Sequence, residues 1–334
     1  MAPIILHSPF ELPWQTVVFD ALMLTLFVAA VAHAVLWHRR GVRIYSFVLI
    51  AGLVYGMVLE LAGMATLNMY VQGDFPVMIN FPALPLFAGT TAMPLYVTLF
   101  YPVIFTMGFL VVEALGIPSH WRAALTGGLF MIFLDAPYII EGNLRNIVWW
   151  TWDPHFVLFQ YWLGWPLADM FWQSTWGATF FYVMLRCRAH LDGDARPRWS
   201  TRHALAVRAP LAAIAVLALG MVWMLPLLAA TFTIGQQWPV LVVLVLGLAV
   251  VTVQSLRSAT PARRVDPFMP AMIGIYVLAF LPMIVGNVLH DGGVRFYAVV
   301  QTLGLIGMLA LATLPLRLNS ANRSEPRTRH AEIS

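Results

Sequence analysis

Three carboxyl groups stand inside apolar runs: Glu60 in "YGMVLELAGM", Asp135 in "MIFLDAPYII" and Asp169 in "WPLADMFWQS". An ionisable side chain within a membrane span costs at least about 2.5–3.5 kcal/mol on insertion scales, so it faces the bundle interior and marks a functional position by default. A carboxyl among apolar and aromatic groups holds its proton more firmly than one in water, which makes it a poised general acid. The structural alternative for each acid taken alone is packing glue, a hydrogen bond to a neighbouring helix.

Helical spacing says where these acids point. Gly52, Gly56, Glu60 and Gly63 recur at i, i+4, i+8 and i+11 and share one face, where the small residues let a neighbouring helix approach and Glu60 enters that contact. Counted from the arginine-bearing end, Glu60 lies roughly 24 Å along its helix, and Asp135, on a stripe with Gly128, Met131 and Tyr138, about 20 Å along its own. Counting back about twenty residues from Arg186 starts the next span at Pro166, which suits a first helical turn because its missing N–H has no partner there. Asp169 then sits about one turn below the surface, on a face that continues through Trp172, Gln173 and Trp176. Three acids from three helices are expected at one depth. Asp20 and Glu113 fall nearer span ends, where water reaches them.

Above that depth runs "NLRNIVWWTWDPHFVLFQYWLGWPLAD", Asn143 to Asp169. Trp149, Trp150, Trp152, Tyr161, Trp162 and Trp165 suit an interfacial aromatic belt. Together with Asp153, His155 and the Gly/Pro breaks they also suit a re-entrant lid, since irregular backbone at membrane depth must be covered by protein or line a cavity. Aromatic faces stabilise positive charge, so an acid beneath such a cage suits protonation of an alkene and shelter of the resulting carbocation. The connection from Asn68 to Met93, with Pro76, Pro82, Pro85 and "FPALPLF", reads as a second loop on the same side. It either completes the lid or the lateral entry for a lipid, or is an ordinary extracellular loop.

The elements that must carry these residues are membrane spans. The chain has 334 residues, 60% hydrophobic and 10% charged, with a mean hydropathy of +0.79; a soluble domain carries about 25% charged residues. Runs long enough to cross a hydrocarbon core of about 30 Å fall at roughly 14–37, 44–65, 92–116, 122–142, 166–186, 205–232, 238–256, 268–290 and 294–316. The fold expected is an all-α, nine-span transmembrane bundle. Every basic residue is arginine, and the connections alternate in arginine content. Arg39, Arg40, Arg43, Arg122, Arg186, Arg188, Arg196, Arg198, Arg202, Arg257, Arg263, Arg264 and the tail arginines Arg317, Arg323, Arg327 and Arg329 mark one side; only Arg145 and Arg295 mark the other. The positive-inside rule then puts the N-terminus outside and the C-terminus in the cytoplasm of a multi-pass, bacterial plasma-membrane protein. Met1 to Pro13 lacks the basic region of a cleavable signal. The stretch from Arg186 to Arg202 is the best boundary, between a polar-cored five-span half (1–190) and a four-span accessory half (204–316). Residues 317–334 are expected to be a disordered cytoplasmic tail.

Much chemistry is poorly matched. Cys187 stands alone, so no disulfide framework exists. The nine histidines form no HxxxH-type cluster, and His33 and His38 lack the partners of a metal site. No Gly-rich nucleotide loop is present. The basic pI of 9.5 reflects orientation arginines and not a nucleic-acid partner. His155 reads as a surface histidine, and Asn287, His290 and Asp291 as a solvated helix end.

The order of "ELAG" (Glu60 to Gly63), "MPLYVTLFYP", "FLDAPYIIEG", "WWTW" and "LGWPLADMFW" resembles the membrane-embedded carotenoid biosynthesis family that contains the acyclic-carotenoid hydratases. The resemblance covers about residues 55–180 and is one of spacing. It implies protonation of a terminal isopropylidene double bond and addition of water, without metal or redox cofactor. Small membrane-bound terpene cyclases use similar acids on similar substrates. Ala168-Asp169 departs from an Asn-Phe pair in the family pattern, so Asp169 is not carried over from it.

The function expected is acid-initiated hydration or cyclisation of an isoprenoid lipid, with membrane lipid as the surrounding partner and the oligomeric state unreadable. Glu60 and Asp135 would be acid or acid/base groups, and Asp169 and Asp153 would position water or tune a neighbour. Trp149, Trp150, Trp152, Tyr138, Trp172 and Trp176 would line the cavity. The rivals are a proton-coupled transporter, disfavoured by the lack of inverted repeats, and a non-catalytic membrane subunit.

Overall fold

The computed structural model describes residues 2–67, 69–144, 147–192, 199–262, 264–289 and 294–324. Arg145, Arg196, Arg198, Arg263, His290, Asp291, Arg327 and Arg329 lie outside them. A short strand β1 (Ile4–Leu6) precedes α1 (Trp14–Arg39) and α2 (Ile44–Ala65). The next connection holds β2 (Tyr70–Gln72), β3 (Val77–Ile79), two short 3₁₀ turns and β4 (Met93–Pro94). After α3 (Leu95–Leu115) and α4 (His120–Gly142) come β5 (Trp150–Trp152), β6 (Tyr161–Trp162), β7 (Trp165–Pro166) and α5 (Leu167–Leu191). The sixth rod is assembled from α6 (Thr201–His203), a π-helical turn, α7 (Ala209–Trp223) and α8 (Leu225–Ile234), and α9 (Trp238–Leu256), α10 (Phe268–Leu289) and α11 (Arg295–Ser324) follow.

Eight helical segments are long and apolar enough to cross a membrane; α5, with Asp169, Arg186 and Arg188 in its sequence, is as long but too polar to count among them. Helices α3 and α4 are buried almost throughout. The outer rods leave large apolar side chains bare, with Phe232, Val243 and Leu278 each more than 70% exposed. Such a surface is a liability in water and the ordinary outer face of a bundle in lipid.

The expected spans are matched closely at most ends, with three differences. Pro166 is not in the first turn of α5: it is the residue before it, extended (φ −64°, ψ 123°) and part of β7. The sixth rod breaks at Met224, just before Pro226, whose ring removes a backbone donor. Helix α11 runs on to Ser324, through the first residues of the segment expected to be a disordered tail, because the polar "LNSAN" contains no breaker before Pro326.

The connections gather at two ends. At one, β1 pairs with β3, and the connection before α3 meets the one before α5 through β2 and β5. At the other, Arg43 donates backbone and guanidinium N–H groups to Asp192 and the Leu191 carbonyl, while Asp266 receives His33 and Trp37. The later helices pack on the earlier ones: α7 lies against α2 and α5, α9 and α11 against α4, and α10 against α1.

Candidate active site

Helix α2 meets α3 through the glycine stripe. A Cβ on Gly56 would lie 2.5 Å from the Tyr101 ring, and one on Gly52 2.9 Å from Pro102 Cα, so only hydrogen fits at either position. One turn further along, this close approach lets the Tyr101 hydroxyl donate to Glu60 Oε1 at 2.8 Å. Tyr70 donates to Glu60 Oε2 at 2.5 Å from the other direction, out of β2. Burial pushes the Tyr70 hydroxyl well above its ordinary value, with the neighbouring Glu60 adding to the shift, so it remains a donor.

Helices α4 and α5 pack equally closely, Gly128 against the Ser174 carbonyl and Gly177 against Met131. Asp169 lies in the first turn of α5, where the helix dipole favours an acid. It accepts indole N–H bonds from Trp172 at 2.7 Å and Trp165 at 3.1 Å. Asp135 is its electrostatic neighbour from α4. Both Asp135 oxygens are buried, and among the described residues the Asp169 carboxyl is the hydrogen-bond partner they find.

Glu60 and Asp169 open onto one cavity of about 30 Å³, walled by Tyr70, Gln72, Phe100, Tyr101, Tyr138, Ile139, Trp150, Trp152, Trp172 and Gln173. That is room for a water molecule and little more. Its roof is the β2–β5 pair, in register Tyr70 to Trp152, Val71 to Thr151 and Gln72 to Trp150. Alternate residues of a strand point to opposite faces, so Trp150 and Trp152 turn inward while Thr151 is exposed. Trp152 stacks on Trp172 at 6.1 Å, and its own indole N–H has no partner among the described residues.

The expected site therefore comes together in part. Glu60, Asp169, Tyr138, Trp150, Trp152 and Trp172 line the cavity, and Asp135 stands behind Asp169. Trp149 does not line it: its ring stacks on Phe19 at 4.3 Å and its N–H binds Thr16, which fastens the lid to α1. Trp176 is buried against Gly220 of α7, outside the cavity wall. Asp153 is a turn residue whose Oδ1 accepts the His155 N–H at 2.8 Å, and His155 is exposed, as expected. Glu113 pairs with Arg188 and accepts the Tyr45 hydroxyl.

The tyrosine donors Tyr70 and Tyr101, with Gln72 and Phe100, were not anticipated, whereas Gln173 lines the cavity on the Asp169 face where the helical spacing puts it. Tyr101 could have been found, since it precedes Pro102 opposite the glycine stripe. Glu141 was also missed. It is fully buried, and its Oε2 accepts Asn287 at 2.7 Å and Gln301 at 2.8 Å. Asn287 is thus not part of a solvated helix end: the amide is inside the bundle because it satisfies a buried carboxyl. Six residues after Asp135 on α4, Glu141 faces α10 and α11, away from Glu60. No three His, Cys, Asp or Glu side chains gather as metal ligands among the described residues.

No family model, no curated protein and no solved structure matches this chain.

Proposed function

We propose that the chain is a membrane-embedded enzyme that adds water to an isoprenoid lipid by acid initiation, akin to the acyclic-carotenoid hydratases. It would cross a bacterial plasma membrane nine times, α5 included, with the lid end outside and the C-terminus in the cytoplasm. The observation that carries this reading is the water-sized cavity shared by Glu60 and Asp169 under a roof of tryptophan rings. Acid, base, water space and cation-stabilising walls are what alkene hydration needs.

In the reaction, the Glu60 proton adds to the hydrogen-bearing carbon of a terminal isopropylidene double bond and leaves a tertiary cation on the dimethyl-bearing carbon, between the rings of Trp150, Trp152 and Trp172. Water in the cavity bonds to that cation through oxygen. Its surplus proton passes to Asp169, with Asp135 behind it, and returns to Glu60 to close the cycle. The net change is one water added. A lipid end does not fit in about 30 Å³, so one wall must move to admit it.

Expression in a host that supplies acyclic isoprenoids, with mass analysis of the extracted lipids, tests this. A product heavier by one water is expected. An isomer of unchanged mass would indicate a cyclase using the same acids. No product, together with pH-gradient-dependent flux in vesicles, would replace the enzyme with a proton-coupled carrier.

A further inference from the structure

A groove of about 950 Å³ opens between α4, α5 and α9, on the outer face of the bundle beside the acids. No charged side chain lines it. Its inner wall carries Ile132, one turn before Asp135, and Leu167 and Met170, which flank Asp169 on α5; its far wall is an apolar face of α9 through Val242 and Leu246. Gln160 closes the lid end. Its side-chain amide donates to the Gly235 carbonyl and accepts the Gln237 N–H, both at 3.0 Å, which braces the lid to the start of α9.

Between groove and acids stands the β6–β7 hairpin. Trp162 lines the groove and is 56% exposed, whereas Trp165, its partner across the hairpin, donates its indole N–H to Asp169. The two-residue turn joining them puts Leu163 at φ 54° and Gly164 at φ 78°. A branched residue in the left-handed region costs roughly 1–2 kcal/mol, and such local strain clusters at ligand clamps and switches.

We infer that this groove is the binding track of a single long apolar chain drawn from the bilayer, whose end reaches Asp169 by displacing the 161–166 hairpin. Resting on the lipid chemistry proposed above, it supplies the space that the acid cavity lacks. The occupant is an uncharged hydrocarbon chain because the groove offers no partner for a charged headgroup, and its inner wall of Ile132, Leu167 and Met170 runs beside the two aspartates in sequence.

The test uses the full-length protein in detergent micelles and the uncharged methyl ester of the conjugated tetraene parinaric acid, which accepts excitation energy from tryptophans such as Trp162 and Trp238. Saturable transfer is expected with the unaltered protein. Val242→Trp and Leu246→Trp fill the groove from exposed positions on α9 and should weaken the polyene at least tenfold. Val253→Trp, two turns further along α9 and equally exposed, should leave binding as it is. Equal transfer in all four proteins would overturn the inference, whether the polyene simply enters the micelle or a second copy of the chain covers the face. Because turnover is not measured, loss of the hydration chemistry would leave this result unaffected, and the two readings fail separately.

Discussion

Tyr70 donates its hydroxyl hydrogen to Glu60 at 2.5 Å, and so ties the strand that roofs the cavity to the helix that supplies the acid. The same strand pairs Gln72 with Trp150 and Tyr70 with Trp152. Lid and acid are therefore one mechanical unit, held by a bond between a loop residue and a membrane helix ten positions earlier.

Tyr70→Phe removes that bond and leaves Glu60 with Tyr101 alone. A hydrogen bond to the charged carboxylate that forms as Glu60 gives up its proton contributes about 1.5–3 kcal/mol, so product formation should fall tenfold or more. The melting temperature should change by only a few degrees, because the β2–β5 backbone pairing remains. Turnover equal to the unaltered protein would mean that the lid does not orient Glu60.

Gly56→Ala tests the helix contact that brings Tyr101 to Glu60. The new methyl would sit 2.5 Å from the Tyr101 ring, and overpacking of this kind costs about 1–3 kcal/mol. Thermal unfolding in micelles should report lower stability, and activity should fall further than stability does as Tyr101 is displaced. An unaffected melting temperature would show that α2 and α3 are free to separate.

Asp135 keeps both oxygens buried with the Asp169 carboxyl, another acid, as their hydrogen-bond partner among the described residues, and a buried polar atom left unsatisfied costs about 1–3 kcal/mol. Leucine has the same branching as aspartate and no polar atoms. Asp135→Leu should therefore leave the melting temperature unchanged or raise it while product is lost, the pattern of a residue kept for function at the expense of stability. A fall of many degrees would make Asp135 a packing residue with partners of its own.

At the arginine end, burial opposes the charge of Asp266, but hydrogen bonds from His33, the Phe268 N–H and Trp37 outweigh it and hold the carboxyl below its ordinary value. A lowered carboxyl contributes stability that is complete above the ordinary value and is lost as pH falls through the folded one. Asp266→Asn should therefore melt below the unaltered protein at neutral pH, and the gap should close as pH falls past about 3.8. A gap that stays constant into acid would show that the contact is one of shape alone.

Much of this architecture was legible because a bilayer allows few solutions. Apolar runs bounded by arginines set the rods, and the i, i+4 glycine stripe identified the face of α2 that a neighbouring helix meets and the direction of Glu60, though not that the neighbour is α3. What was not legible depended on pairing between distant loops. "WTW" alternates inward and outward only because it lies beside Tyr70–Gln72, a partner some eighty residues away, and the separation of Trp149 from its two neighbours follows from that register. Glu141 was not weighed among the acids. Its place in the bundle is set by Asn287 and Gln301, amides on two later helices that no local pattern near Glu141 announces. Asp153 sits in the aromatic segment but is spent on a local turn, which is the commoner use of an aspartate before proline.

The central claim is that Glu60 and Asp169 act on a lipid through one shared cavity. It is tested most directly by comparing lipid extracts from hosts that express the unaltered protein, Glu60→Gln or Asp169→Asn at matched levels of folded protein. A product one water heavier is predicted for the unaltered protein and a loss of at least a hundredfold for each variant. Undiminished product from both variants would contradict the account.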